Sequence, residues 1–220
     1  MSRKPLPKEE NKIKNIIFDM GEVLIRFDRQ TFLNRHAAGC TPEERTFLLR
    51  EVYLSAEWIM QDRGTHVPAE TVKLLCRKIP EHLHAVVEGL VCHWYDDILP
   101  VDGMKELVGE LKENGYGIYL LSNAASDHPV YWERIPGHEY FDDLCVSAFE
   151  GFLKPQPEIY RRAVEKFGVL PQECVFIDDV PSNIEAALNA GMNGIVFHGD
   201  LKELREKLSG LGVNTAAGTV

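Results

Sequence analysis

Residues 174–192 read CVFIDDVPSNIEAALNAGM: an apolar run, two adjacent aspartates, then a proline-opened helix with a glycine behind it. Cys174 to Ile177 has no polar position, which is the mark of a strand buried on both faces. Pro181 to Ala190 is helical in character, with Pro at the first turn and Gly191 as the stop. One strand, an acidic corner and one helix therefore form a single β-α unit.

The unit recurs along the chain. Ile13 to Phe18 (IKNIIF) is a short apolar run that stops at Asp19-Met20-Gly21. A helix over 102–114, closed by Gly115, precedes the strand Gly117 to Leu121, which ends at Ser122-Asn123. Leu144 to Ser147 reads as a short strand, Pro157 to Phe167 as an amphipathic helix stopped by Gly168, and Gly194 to Phe197 as a last strand. Strands alternating with long helices predict an α/β fold, a Rossmann-like doubly wound parallel sheet with helices on both faces.

Between Asp28 and Asp97 the pattern differs, because helix signals follow one another with no strand run between them. Asp28 reads as an N-cap with Gly39 as its stop, Thr41-Pro42-Glu43-Glu44 as a capping box, and Pro68 as the opening of another amphipathic stretch. The expectation is a helical cap over 28–97 inserted after the first strand, with 11–27 and 98–208 forming the core. Residues 1–10 and 209–220 read as flexible tails.

Lys plus Arg number 24 against 34 Asp plus Glu in 220 residues, a formal charge of −10. That balance argues against a nucleic-acid or anionic-membrane surface, so a phosphate-bearing ligand has to be held by a local site. MSRKPLPKEENKIK lacks an apolar core of signal-peptide length, and no 18 apolar residues run together, which predicts a soluble, cytoplasmic protein. The five cysteines form no CxxC pair and read as buried thiols. His82, His84, Cys92 and His93 are too closely spaced to place four ligands on one metal, and read as helix histidines.

Ligands of open α/β sheets collect beyond the carboxyl ends of strands. The residues there are Asp19, Ser122 with Asn123, and Asp178 with Asp179; Lys154 joins them from a loop stiffened by Pro155 and Pro157. Carboxylates, a hydroxyl and an ammonium at one sheet edge form a cation site facing an anion site, which suits phosphoryl transfer. Adjacent Asp178 and Asp179 repel each other unless a cation is present. Asn183, four residues after Asp179, shares its side of the first helix turn.

Four segments carry a family resemblance: IIFDMGEVL around Asp19, LLSNA around Ser122, KPQPEIY from Lys154, and VFIDDVPSNIEAALNAGM around Asp178 and Asp179. In that order they resemble the haloacid dehalogenase-like hydrolase superfamily, in the helical-cap branch that includes sugar-phosphate phosphatases of the glucose-1-phosphate type. The resemblance implies a Mg²⁺-dependent phosphatase that hydrolyses a small phosphorylated metabolite through a phospho-aspartate. Asp19 would be the nucleophile and a metal ligand, with the Gly21 carbonyl and Asp179 as the other ligands. Ser122 and the Asn123 backbone would hold the phosphoryl oxygens, Lys154 would offset their charge, and Asp178 with Asn183 would orient the metal, its waters or Lys154. Oxygen-only ligation suits Mg²⁺ rather than Zn²⁺.

One position departs from the family pattern. Where the commoner phosphatase motif has an Asp that protonates the leaving oxygen, this chain has Gly21, and losing such a group costs about 10²- to 10⁴-fold. Either Glu22 or another group substitutes, or the substrate is a sugar 1-phosphate or acyl phosphate whose leaving oxygen needs less protonation. Two other readings stay open: a haloacid dehalogenase acting without metal, and a non-catalytic metal- and phosphate-binding regulatory protein. Phosphorelay receivers use similar residues, but there the acidic pair comes first in the chain. In the insert, WIMQDRG offers Trp58 and Arg63 as substrate contacts, with lid core and solvated charge as the plainer reading; outside it, just after the Ser122 motif, His128 and Trp132 carry the same two readings.

Overall fold

The computed structural model describes residues 12–96 and 98–216, so the expected tail over 1–10 and the last residues, 217–220, lie outside the described residues. Its strands are β1 (Asn15–Phe18), β2 (Ile25–Arg26), β3 (Leu99–Pro100), β4 (Gly117–Ser122), β5 (Asp143–Val146), β6 (Cys174–Asp178) and β7 (Asn193–Val196). Five of them form a parallel sheet in the order β5-β4-β1-β6-β7. Every residue of β1 and β6 is buried. Ile16, Phe18, Val175 and Ile177 enter one hydrophobic cluster, whereas Ile17 and Phe176 enter another. Alternate side chains thus feed two cores, which is why the strands read as unbroken apolar runs.

The register sets up the site. Phe18 is level with Leu120 of β4 on one side and Ile177 of β6 on the other. The next residues, Asp19, Leu121-Ser122 and Asp178, therefore emerge together at the carboxyl edge, around the strand where the sheet's winding direction reverses.

Helices Arg29–His36, Pro42–Leu48, Ala56–Asp62, Pro68–Cys76 and His84–Cys92 lie between β2 and β3. Asp28 caps the first by accepting from Gln30 N at 2.9 Å, and Thr41 with Glu44 closes the capping box of the second. The first helix ends at His36, before Gly39, because the chain turns earlier, with Cys40 N donating to Ala37 O at 3.1 Å. β2 and β3 pair antiparallel where the insert leaves and rejoins the core. Phe27 joins the insert's aromatic centre, its ring 5.0 Å from Trp94 and 5.1 Å from Phe32. Such edge contacts add about 0.5–1.5 kcal/mol each beyond burial, enough to hold the insert's root to the core.

Ser147, expected at the end of a strand, instead opens the short helix Ser147–Glu150. Its hydroxyl accepts from Ala124 N at 3.0 Å and donates to the Asp62 carbonyl, bonds that strand pairing would not supply. Gly64 sits beside it with φ +82°, and a Cβ there would fall 2.0 Å from the Ala148 carbonyl oxygen, so the insert touches the core at a point where only glycine fits.

At the other end, the chain stays ordered past Ser209. The helix Leu201–Gly210 is capped by Asp200, Val213 is buried, and Asn214 N donates to the Tyr116 hydroxyl at 2.8 Å. Among the described residues, no helix is long and apolar enough to cross a membrane.

Candidate active site

Asp19 follows the last residue of β1 and is held there by its own N–H, which donates to Ile177 O at 2.8 Å. Lys154 reaches over from the loop before helix Pro157–Phe167, its Nζ 2.7 Å from Asp19 Oδ1 and 2.7 Å from Asp178 Oδ2. All three side chains are buried, so the ammonium bridges two carboxylates away from solvent. Asp179 completes a triplet with Asp19 and Asp178 whose ligand oxygens lie within 4.8 Å of one another.

Asp178 is fully occupied within the protein. Its Oδ1 accepts from Val180 N at 2.8 Å, and Asn183 Nδ2 lies 3.0 Å from both oxygens. Asn183 thus serves Asp178, not the Asp179 from which its helical spacing was counted. Asp178 in turn aims Lys154. Asn123 grips the lysine from the main-chain side: its Oδ1 accepts from Lys154 N at 2.8 Å and its Nδ2 donates to Lys154 O at 3.1 Å. This side-chain clamp was missed in the sequence, where Asn123 counted only for its backbone.

The electrostatics follow from burial. Burial pushes the Asp19 carboxyl up to about 6, even against the neighbouring Lys154 ammonium. Burial pulls the lysine's own pKa down, but Asp19 and Asp178 more than reverse it, leaving the ammonium more firmly charged than usual. Asp179 is raised as well, by burial and then by Asp178. Three carboxylates against one ammonium leave negative charge unbalanced in a low-dielectric corner, and hard oxygen donors are the ligands that Mg²⁺ prefers. The donor set fits that ion.

Residues 13–191 match the haloacid dehalogenase-like hydrolase family. The chain belongs to that family. Among curated relatives, a chloroplast flavin mononucleotide hydrolase of Arabidopsis thaliana is 33% identical over 53% of this chain, but the match spans only 47% of that protein. The glyceraldehyde 3-phosphate phosphatase of Pyrococcus abyssi is 27% identical over 84% of this chain and 81% of its own. A HAD family enzyme of Bacteroides thetaiotaomicron, solved as a magnesium complex, superimposes with a TM-score of 0.67 at 25% identity, covering 87% of this chain and 98% of that one.

In this haloacid dehalogenase-like hydrolase, Asp19, Gly21, Ser122, Asn123, Lys154, Asp179 and Asn183 share the wall of one cavity of about 820 Å³. Asp178 lies beneath it, wholly buried. Glu22 also borders the cavity, but with φ +53° it turns back and accepts from Phe27 N at 2.7 Å, so its carboxylate serves its own loop. Trp58 reaches the wall, whereas Arg63 is exposed and outside it. His128 is buried and stacked on Trp132 at 5.2 Å, away from the wall. Asp28, Arg29, Gln30 and Asp62, all from the insert, line it too. The signal for the first three was their place at the head of the first insert helix, which Asp28 caps.

Proposed function

We propose that this hydrolase removes phosphate from a small phosphomonoester through a phospho-aspartate on Asp19. One observation carries the reading: the shared cavity wall where Asp19 meets a buried ammonium, Ser122 and a further carboxylate. Asp19 lends Oδ1 to Lys154, leaving its other oxygen to attack phosphorus. Lys154, locked by Asp178 and Asn123, offsets charge on the transferring group without having to reorganise. The Ser122 hydroxyl and the Asn123 backbone N–H hold the phosphoryl oxygens. Asp19, Asp179 and the Gly21 carbonyl would hold Mg²⁺, which when bound supplies positive charge opposite Lys154. Five free cysteines agree with a cytoplasmic setting.

The substrates named for the relatives, flavin mononucleotide and glyceraldehyde 3-phosphate, are primary phosphate esters. They belong in the same panel as sugar 1-phosphates and acyl phosphates, which need least protonation of the leaving oxygen. Phosphate release from p-nitrophenyl phosphate with Mg²⁺, and again after EDTA, tests the reading. The expected result is a metal-dependent rate that falls by at least about 10²-fold on chelation, since the ion supplies several kcal/mol. Halide release from a 2-haloacid without metal would instead establish the dehalogenase, and neither activity would leave a binding protein. Thermal unfolding adds a second readout: saturation at about a hundred times Kd is expected to stabilise the fold by about 2.7 kcal/mol.

A further inference from the structure

Position 21 carries no acid, the Glu22 carboxylate is engaged within its own loop, and both Asp28 oxygens are taken by Gln30 N and the Thr31 hydroxyl, yet the cavity wall holds one more acid from the insert. Asp62 closes the helix Ala56–Asp62 and lines the same wall as Asp19. Its main chain is keyed to the core: the Asp62 carbonyl accepts from Ser147 Oγ, which itself accepts from Ala124 N, two residues beyond Ser122. With Gly64 seated on Ala148, the acid is carried on a fixed strut between insert and phosphate loop.

We propose that Asp62 is the general acid and base of this hydrolase, taking the part that position 21 leaves vacant; this rests on the phosphatase reading of Asp19. As an Asp19 oxygen bonds to phosphorus and the ester P–O bond breaks, the leaving oxygen takes the Asp62 proton and departs as an alcohol. The Asp62 carboxylate then accepts a proton from water as the water oxygen attacks the phospho-aspartate. Phosphate leaves, and Asp19 is freed as carboxylate while Asp62 is reprotonated.

The surroundings suit a proton donor. Burial holds the Asp62 carboxyl up at about 7; the Trp58 indole and Arg29 act against this, and Asp127 adds to it. Tyr131 also faces the acid, and its own hydroxyl stays protonated. At neutral pH Asp62 is therefore poised between its two forms, the condition for both giving and taking a proton. Asp127, a neighbouring acid that burial also raises, to about 6, lies off the cavity wall.

Asp62→Asn keeps the side chain's shape and an oxygen for Trp58, and it is read against leaving group. With an alkyl phosphate, kcat/KM is expected to fall about 10²- to 10⁴-fold, whereas p-nitrophenyl phosphate, whose leaving group departs without a proton, loses less than about tenfold. Wild-type kcat/KM on the alkyl ester is expected to decline above about pH 7, and the variant to lose that limb. Asp62→Glu should recover part of the alkyl activity. Equal losses on both substrates, or none on either, would overturn the assignment, as would a wild-type alkyl profile flat through pH 8. The phosphatase reading fails separately, if wild type releases no phosphate from the aryl ester or if Asp19→Asn leaves that release intact.

Discussion

Asp19→Asn is expected to abolish phosphate release, by about 10⁴- to 10⁶-fold in kcat, the span seen when single members of a covalent catalytic unit are removed, the nucleophile at its upper end. The amide keeps the size of the carboxylate but has no electron-rich oxygen to bond phosphorus, and the remaining parts cannot replace it because each acts on a different atom. Lys154 would still be held by Asp178, 2.7 Å away, so the fold should survive and circular dichroism should be unchanged. Binding separates from chemistry in this variant. Inorganic phosphate should still compete at the site, since Ser122, Asn123 and Lys154 remain. Retention of even a hundredth of the wild-type rate on p-nitrophenyl phosphate would move the nucleophile elsewhere.

Much of this site was legible because its residues end buried strands. β1 and β6 consist of consecutive buried residues, so their apolar runs stood out and the aspartates that stop them were conspicuous. β2 and β3 were not visible, since two residues carry no periodicity. Ser147 looked like the continuation of β5, and only its bonds to Ala124 and Asp62 explain why it leaves the strand. The chain past Ser209 looked like a tail because its residues are small and uncharged; Tyr116 and the cluster around Val213, distant in sequence, hold it. Asn183 illustrates the limit of spacing arguments. Counting four residues from Asp179 placed both on one face, but Asp178, which accepts from Val180 N where the strand turns into the helix, is the one that meets the Asn183 amide. Asp62 escapes a reading of WIMQDRG for the same kind of reason: its tie to the loop after Ser122 runs through Ser147, a residue 85 positions away.

Lys154→Met should be the most destabilising single change at the site, and its size should depend on pH in a set direction. Removing one partner from a buried ion pair costs about 3–5 kcal/mol, because the charges left behind are neither solvated nor paired. For a chain of this length each kcal/mol lowers Tm by about 2–4 °C, so a fall on the order of 10 °C is expected at pH 8 in EDTA. The sign follows from proton uptake. An acid whose folded pKa lies above its unfolded value binds a proton on folding, so stability drops as pH rises between the two. Asp19 already has a folded value of about 6 against 3.8 for the free side chain, and loss of the ammonium, which lowers it, must raise it further. Asp178 loses the same neighbour. The penalty of the variant should therefore be largest at pH 8 and shrink toward pH 5, where protons take over part of the lysine's task, and Mg²⁺ at pH 8 should recover part of it by the same logic. Urea midpoints for wild type and variant at the two pH values measure the difference; an equal penalty at both would mean that Lys154 stabilises by packing against Phe176, 5.3 Å from its Nζ, and not by balancing the two aspartates.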